Sequence, residues 1–150
     1  FDPTLAIGYN NLGLLNVKME NNEAAEEYYT AALKIDPNFA EAYISRGNLK
    51  FNTERYEKAI EDYTKVIEMN SKNALAYNNL GNSKYMSGDL TGAIEAFTQA
   101  ININPEYSEA WLNRGIVKEM LRDEKGACND WTKAAGLGNT NASNYITDCQ

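Results

Sequence analysis

The chain contains no histidine. That removes the side chain most often used as a general base near neutral pH, the commonest metal ligand, and the usual partner of a serine or cysteine nucleophile. Prolines number only 3, so long helices are allowed. No apolar run approaches the ~20 residues of a membrane span, and no signal peptide opens the chain. Positive charge is also short: the net charge is −7 and no basic stripe offsets it. Such a chain repels a phosphate backbone, which argues against nucleic-acid partners and slightly favours neutral or basic ones. The opening Phe1-Asp2-Pro3 has no initiating methionine and reads as the tail of something upstream. Missing targeting signals therefore say little about compartment.

What is present is an ordinary globular composition, 43% hydrophobic and 23% charged over 150 residues, enough for a sizeable core. It is arranged with a period of 34 residues: Gly13, Gly47, Gly81 and Gly115 stand at that spacing. Four residues before each glycine is an aromatic, Tyr9, Tyr43, Tyr77 and Trp111. Twelve after it comes Ala25, Ala59, Ala93 or Ala127, then a second aromatic, Tyr29, Tyr63, Phe97 or Trp131, then Ala32, Val66, Ala100 or Ala134. Apolar residues three or four apart mark one face of a helix. The glycine and the first alanine let two antiparallel helices approach closely, and the aromatic fills the space beside them.

Short breaks such as Glu20-Asn21-Asn22, Asp36-Pro37 and Ser87-Gly88-Asp89 fit tight turns, which force neighbouring helices to run antiparallel. The expected helix pairs are 6–19 with 22–35, 40–53 with 56–69, 74–87 with 90–103, and 108–121 with 124–137, followed by a cap helix near 141–149. Apolar residues of the second helices, among them Ile60, Ile67, Ile94 and Ile101, should face the next repeat, because no single repeat buries its faces alone.

These columns resemble the tetratricopeptide repeat, whose pattern W-x₂-L-G-x₂-Y, A-x₃-F, P has this period. Some columns depart from it. The leucine column reads Leu12, Arg46, Leu80, Arg114, the inner tyrosine column Asn16, Lys50, Lys84, Lys118, and the proline column Pro37, Ser71, Pro105, Asn139. The resemblance implies an all-α, right-handed superhelical solenoid, one array over 1–150 with repeats at about 6–39, 40–73, 74–107 and 108–139. The long cationic side chains on inner positions should lie along apolar surface and hold their charge in water.

The resemblance also implies a concave groove, lined by the first helix of each pair, that binds an extended peptide or partner helix. Its expected lining is Asn10, Asn11, Ser45, Asn48, Asn78, Asn79, Asn82, Tyr85, Glu109 and Asn113. A carboxamide offers an acceptor and two donors, matching any extended backbone. The row is similar to the asparagine ladder of arrays fused to O-linked sugar transferases, with Ser45 interrupting it; a solvated polar face is the bland alternative. Phe51, Tyr85, Met86 and Met120 should add apolar contact. A clamp for a chaperone carboxylate tail would need cations where Ile44, Glu109 and Asn113 stand, so the chain does not suit one.

Leu12, Leu15 and Met19 lack an upstream helix to cover them, which favours self-association through the first helix. Cys128 and Cys149 fall on facing positions of the last repeat and its cap. They either form a disulfide, which would place the protein in periplasm or extracellular space, or are two small buried residues in a reducing cytoplasm. Gly136-Leu137-Gly138 lacks the strand and third glycine of a dinucleotide loop, and Asn141-Ala142-Ser143 and the Glu23, Glu26, Glu27 cluster carry little information. No catalytic constellation, metal site or cofactor motif emerges. The expected function is a non-enzymatic protein-interaction scaffold, with a substrate-recruiting segment of a larger enzyme, or a spacer, as alternatives.

Overall fold

Helices begin where a side chain can satisfy the first free backbone N–H groups. The computed structural model describes residues 2–147 and 149. Asp2 caps α1 (Pro3–Lys18) through its Oδ1, which accepts from the Thr4 amide at 2.9 Å and the Thr4 hydroxyl at 2.6 Å. With proline at the first helical position, α1 starts three residues earlier than the apolar pattern suggested. Asn21 caps α2 (Asn22–Ile35), Asn73 caps α5 (Ala74–Met86), Asp89 caps α6 (Leu90–Ile103) and Asp123 caps α8 (Glu124–Gly136) in the same way. The intervening helices are α3 (Ala40–Asn52), α4 (Tyr56–Met69) and α7 (Ser108–Met120). No strand occurs among the described residues.

The hairpin turns need one residue in the left-handed region. Glu20, Glu54, Gly88 and Arg122 supply it, at φ of 60°, 60°, 91° and 63° and at the same place in each repeat. Only Gly88 adopts that conformation without opposition from a Cβ.

The chain divides into two compact units, up to Ser71 and from Lys72 on. In unit 1, α1 packs along α2 and α3 along α4, with α2 against α3 and α1 beside α3. In unit 2 the same contacts join α5, α6, α7 and α8. Within each pair the aromatic lies on the glycine. A Cβ built on Gly47, Gly81 or Gly115 would stand 2.8, 2.6 or 2.5 Å from the ring of Tyr63, Phe97 or Trp131. Tyr29, Tyr63, Phe97 and Trp131 are consequently all buried.

The expected cap helix is much shorter than 141–149. A 3-10 turn (Thr140–Ala142) leads into a single turn, α9 (Ser143–Ile146). Asn139 caps the turn, its side-chain oxygen accepting from the amides of Asn141 and Ala142. Tyr145 stacks on Trp131 at 4.9 Å between centroids, and Cys149 is joined to Cys128 with Cα atoms 5.5 Å apart.

Candidate binding site

In unit 2, α5 and α7 lie side by side and bring asparagines together. Asn113 Nδ2 donates to Asn82 Oδ1 at 3.0 Å and, at 3.4 Å, to Asn78 Oδ1. Asn78 also bonds the Tyr107 hydroxyl. Burial pushes the Tyr107 phenol upward, the Glu109 charge adds to this, and the Asn78 bond opposes it. Asn79, Asn82 and Asn113 are half-buried and Glu109 is exposed. Each carboxamide has four hydrogen-bonding positions, so these internal bonds orient the groups and leave capacity for a ligand.

Unit 1 presents the corresponding face on α1 and α3. Asn11 and Asn48 are exposed, and Ser45 is half-buried. Asn48 Oδ1 accepts from the Tyr63 hydroxyl at 2.6 Å. Burial of Tyr63 raises its phenol far above the ordinary value, so that hydroxyl remains a donor at any physiological pH.

Three expectations need correction. Asn10 and Asn78, expected to line the surface, are 1% and 5% exposed, because the fifth position of the first helix is wedged against the next first helix. Tyr85 does not project outward as an apolar contact; it packs on the cluster of Ala93, Phe97 and Val117. Met86 and Met120 do stand exposed.

The third correction concerns the cations on inner positions, whose charge is not held in water. Arg46 grips Asp62 with Nε at 3.0 Å and Nη2 at 2.7 Å, Lys50 Nζ reaches the same carboxylate at 2.8 Å, and Arg46 Nη1 donates to Thr30 of the preceding repeat at 3.1 Å. Burial pulls the Arg46 guanidinium down, but the bonds and charge of Asp62 outweigh it, and the net shift is upward. Arg114 repeats the arrangement with Asp130, Lys118 and Thr98. Lys84 pairs instead with Asp89 at 3.1 Å. Asp62 and Asp130, only 3% and 2% exposed, were missed as partners. The available signal was their position, sixteen residues after each arginine and occupied by Tyr28 and Ala96 in the repeats that carry leucine.

Leu12, Leu15 and Met19 are 42%, 53% and 67% exposed on α1. No helix among the described residues is long and apolar enough to cross a membrane. No group of three or more of those residues forms a set of metal ligands.

Comparison with known families resolves the fold's affiliation. Models described as tetratricopeptide repeat match residues 6–39 and 28–61, and one described as TPR repeat matches 47–88 and 81–121. The chain belongs to the tetratricopeptide repeat family. No curated protein matches it. Among solved tetratricopeptide structures it is similar to MamA, at 26% identity and TM-score 0.83 over 89% of this chain and 80% of that one. It is similar also to pilF of Pseudomonas aeruginosa, at 26% identity and TM-score 0.79 over 89% and 61%. The first TPR domain of Spaghetti (RPAP3), solved bound to the HSP90 peptide SRMEEVD, shares the tetratricopeptide fold at 19% identity and TM-score 0.77, over 81% of this chain and 96% of that one.

Proposed function

We propose that the chain is a protein-interaction scaffold that holds an extended peptide segment against the first helices of its repeats. The observation that carries this reading is the pair of half-buried amides Asn82 and Asn113 on α5 and α7, oriented by their mutual bond and by the bond from Asn113 to buried Asn78. Groups already fixed by internal bonds lose little freedom on binding, so a ligand's backbone meets them at low entropic cost. Membership of a family in which one similar fold has been solved with a peptide supports the same reading.

Three or four amide contacts at about 0.5–1.5 kcal/mol net each give binding of roughly micromolar strength or poorer. With a net charge of −7 and Glu41 and Glu109 exposed on these faces, neutral or basic segments are the proposed ligands. A peptide array spanning acidic, neutral and basic sequences tests this, repeated with Asn79→Ala and Asn113→Ala together. Expected is a preference against acidic peptides and a loss of binding in the double variant. Equal binding by the variant, or acidic peptides binding best, would remove the proposal.

A further inference from the structure

The two units present the same face with different contents. Counting 68 residues along, Asn10 corresponds to Asn78, Leu14 to Asn82, Phe39 to Tyr107, Glu41 to Glu109 and Ser45 to Asn113. In unit 2 the buried asparagine is satisfied from within: Asn78 bonds Tyr107, and its Oδ1 accepts from Asn113. In unit 1 both partners are gone, because Phe39 has no hydroxyl and Ser45 is too short to stand in for Asn113. Asn10 Nδ2 turns to Glu41 Oε1 at 3.5 Å, and Asn10 Oδ1, in a side chain 1% exposed, has no hydrogen-bond partner in the protein.

An unpaired buried acceptor is uncommon and carries a desolvation penalty that a donor would relieve. The 3.5 Å contact of Asn10 Nδ2 lies at the outer limit of a hydrogen bond, so the exposed Glu41 carboxylate gives up little in turning to a cation bound beside it. The group that fits there must donate hydrogen bonds and carry positive charge. A primary ammonium does both from one atom, with three donors that can be divided between the Glu41 carboxylate and Asn10 Oδ1. The cations on the neighbouring α3 do not compete, because Arg46 and Lys50 are committed to Asp62.

We infer that the α1–α3 face of unit 1 contains a seat for a lysine ammonium of a bound peptide, between the Glu41 carboxylate and Asn10 Oδ1. This rests on the peptide-binding reading above and adds to it the kind of side chain that unit 1 selects.

The test is a titration of ¹⁵N-labelled protein with Nα-acetyl-lysine N-methylamide, and with the norleucine counterpart that lacks the ammonium, following the Asn10 side-chain amide. The lysine probe shifts that signal in a saturable way, and the norleucine probe binds at least tenfold more weakly. Glu41→Gln removes the charge from an exposed position and weakens lysine binding to the norleucine level. Ser45→Asn supplies the donor that Asn113 supplies in unit 2 and closes the seat. An Asn10 signal that does not move, equal binding of both probes, or lysine binding that survives both substitutions overturns the inference. If it fails while extended peptides still bind in an Asn79- and Asn113-dependent manner, the peptide reading stands without the seat; loss of that dependence as well removes both.

Discussion

Replacing Asp62 by leucine removes the carboxylate that both Arg46 and Lys50 contact, at 2.7–3.0 Å and 2.8 Å. Their side chains are 17% and 8% exposed, so two positive charges would be left where water screens them poorly. Removing one partner from a buried ionic group typically costs about 3–5 kcal/mol, because the remaining charge stays desolvated and unpaired. At roughly 2–4 °C per kcal/mol for a chain of this length, the thermal midpoint should fall by about 6–20 °C. Circular dichroism at 222 nm during heating and urea titration measures it. Glu61→Gln breaks a pair with Lys58 in which both side chains are about 60% exposed, and should leave the midpoint where it was. The decisive variant substitutes the whole group with the residues of the first repeat, Arg46→Leu, Lys50→Asn and Asp62→Tyr. It should recover most of the loss, since an ion group replaced outright by packed side chains leaves no orphan charge. If Asp62→Leu proves as mild as Glu61→Gln, or the triple variant is worse than the single one, the buried-charge argument is wrong.

The left-handed turn at Glu54, φ 60°, opposes its Cβ, so Glu54→Gly should stabilise by about 0.5 kcal/mol in urea melts; a destabilisation would show that the glutamate side chain matters more than the backbone. Burial raises the phenols of Tyr29, Tyr63 and Tyr107 above their ordinary value near 10. A group whose folded value lies higher stabilises fully below the unfolded one and loses that contribution as pH rises through the folded one. Stability should therefore be flat from pH 7 to 9 and fall above about pH 10, less steeply in Tyr63→Phe, as read by dichroism against pH. The Cys128–Cys149 bridge spans 21 residues of chain, and opening it with dithiothreitol should lower stability by about 3 kcal/mol while unstacking Tyr145 from Trp131, visible in the tryptophan fluorescence. An unchanged melt under reducing conditions would contradict that figure.

The helices were legible because glycine, alanine and aromatic columns recur at one spacing, and the glycine column meets the second aromatic within each single repeat. The boundaries of α2, α4 and α6 coincide with those the pattern suggests, and α3, α5, α7 and α8 end one residue short. What escaped depends on neighbours that the recurring columns do not include. Asn10 and Asn78 look like surface residues until α3 and α7 are set beside them. Arg46 and Arg114 look like snorkelling cations until Asp62 and Asp130 are seen across the hairpin. The cap opens as a 3-10 turn over Thr140–Ala142, which no column of the repeat signals.

Arg46 and Arg114 each reach back to a threonine on the helix before, Thr30 and Thr98, while gripping an aspartate on the helix after. One side chain thereby fastens three successive helices. Leu12 and Leu80 occupy the same column and have no such reach. Opened locally by heat, the two repeats within each unit should therefore loosen together rather than one at a time, which makes a doublet the natural mechanical quantum of each unit.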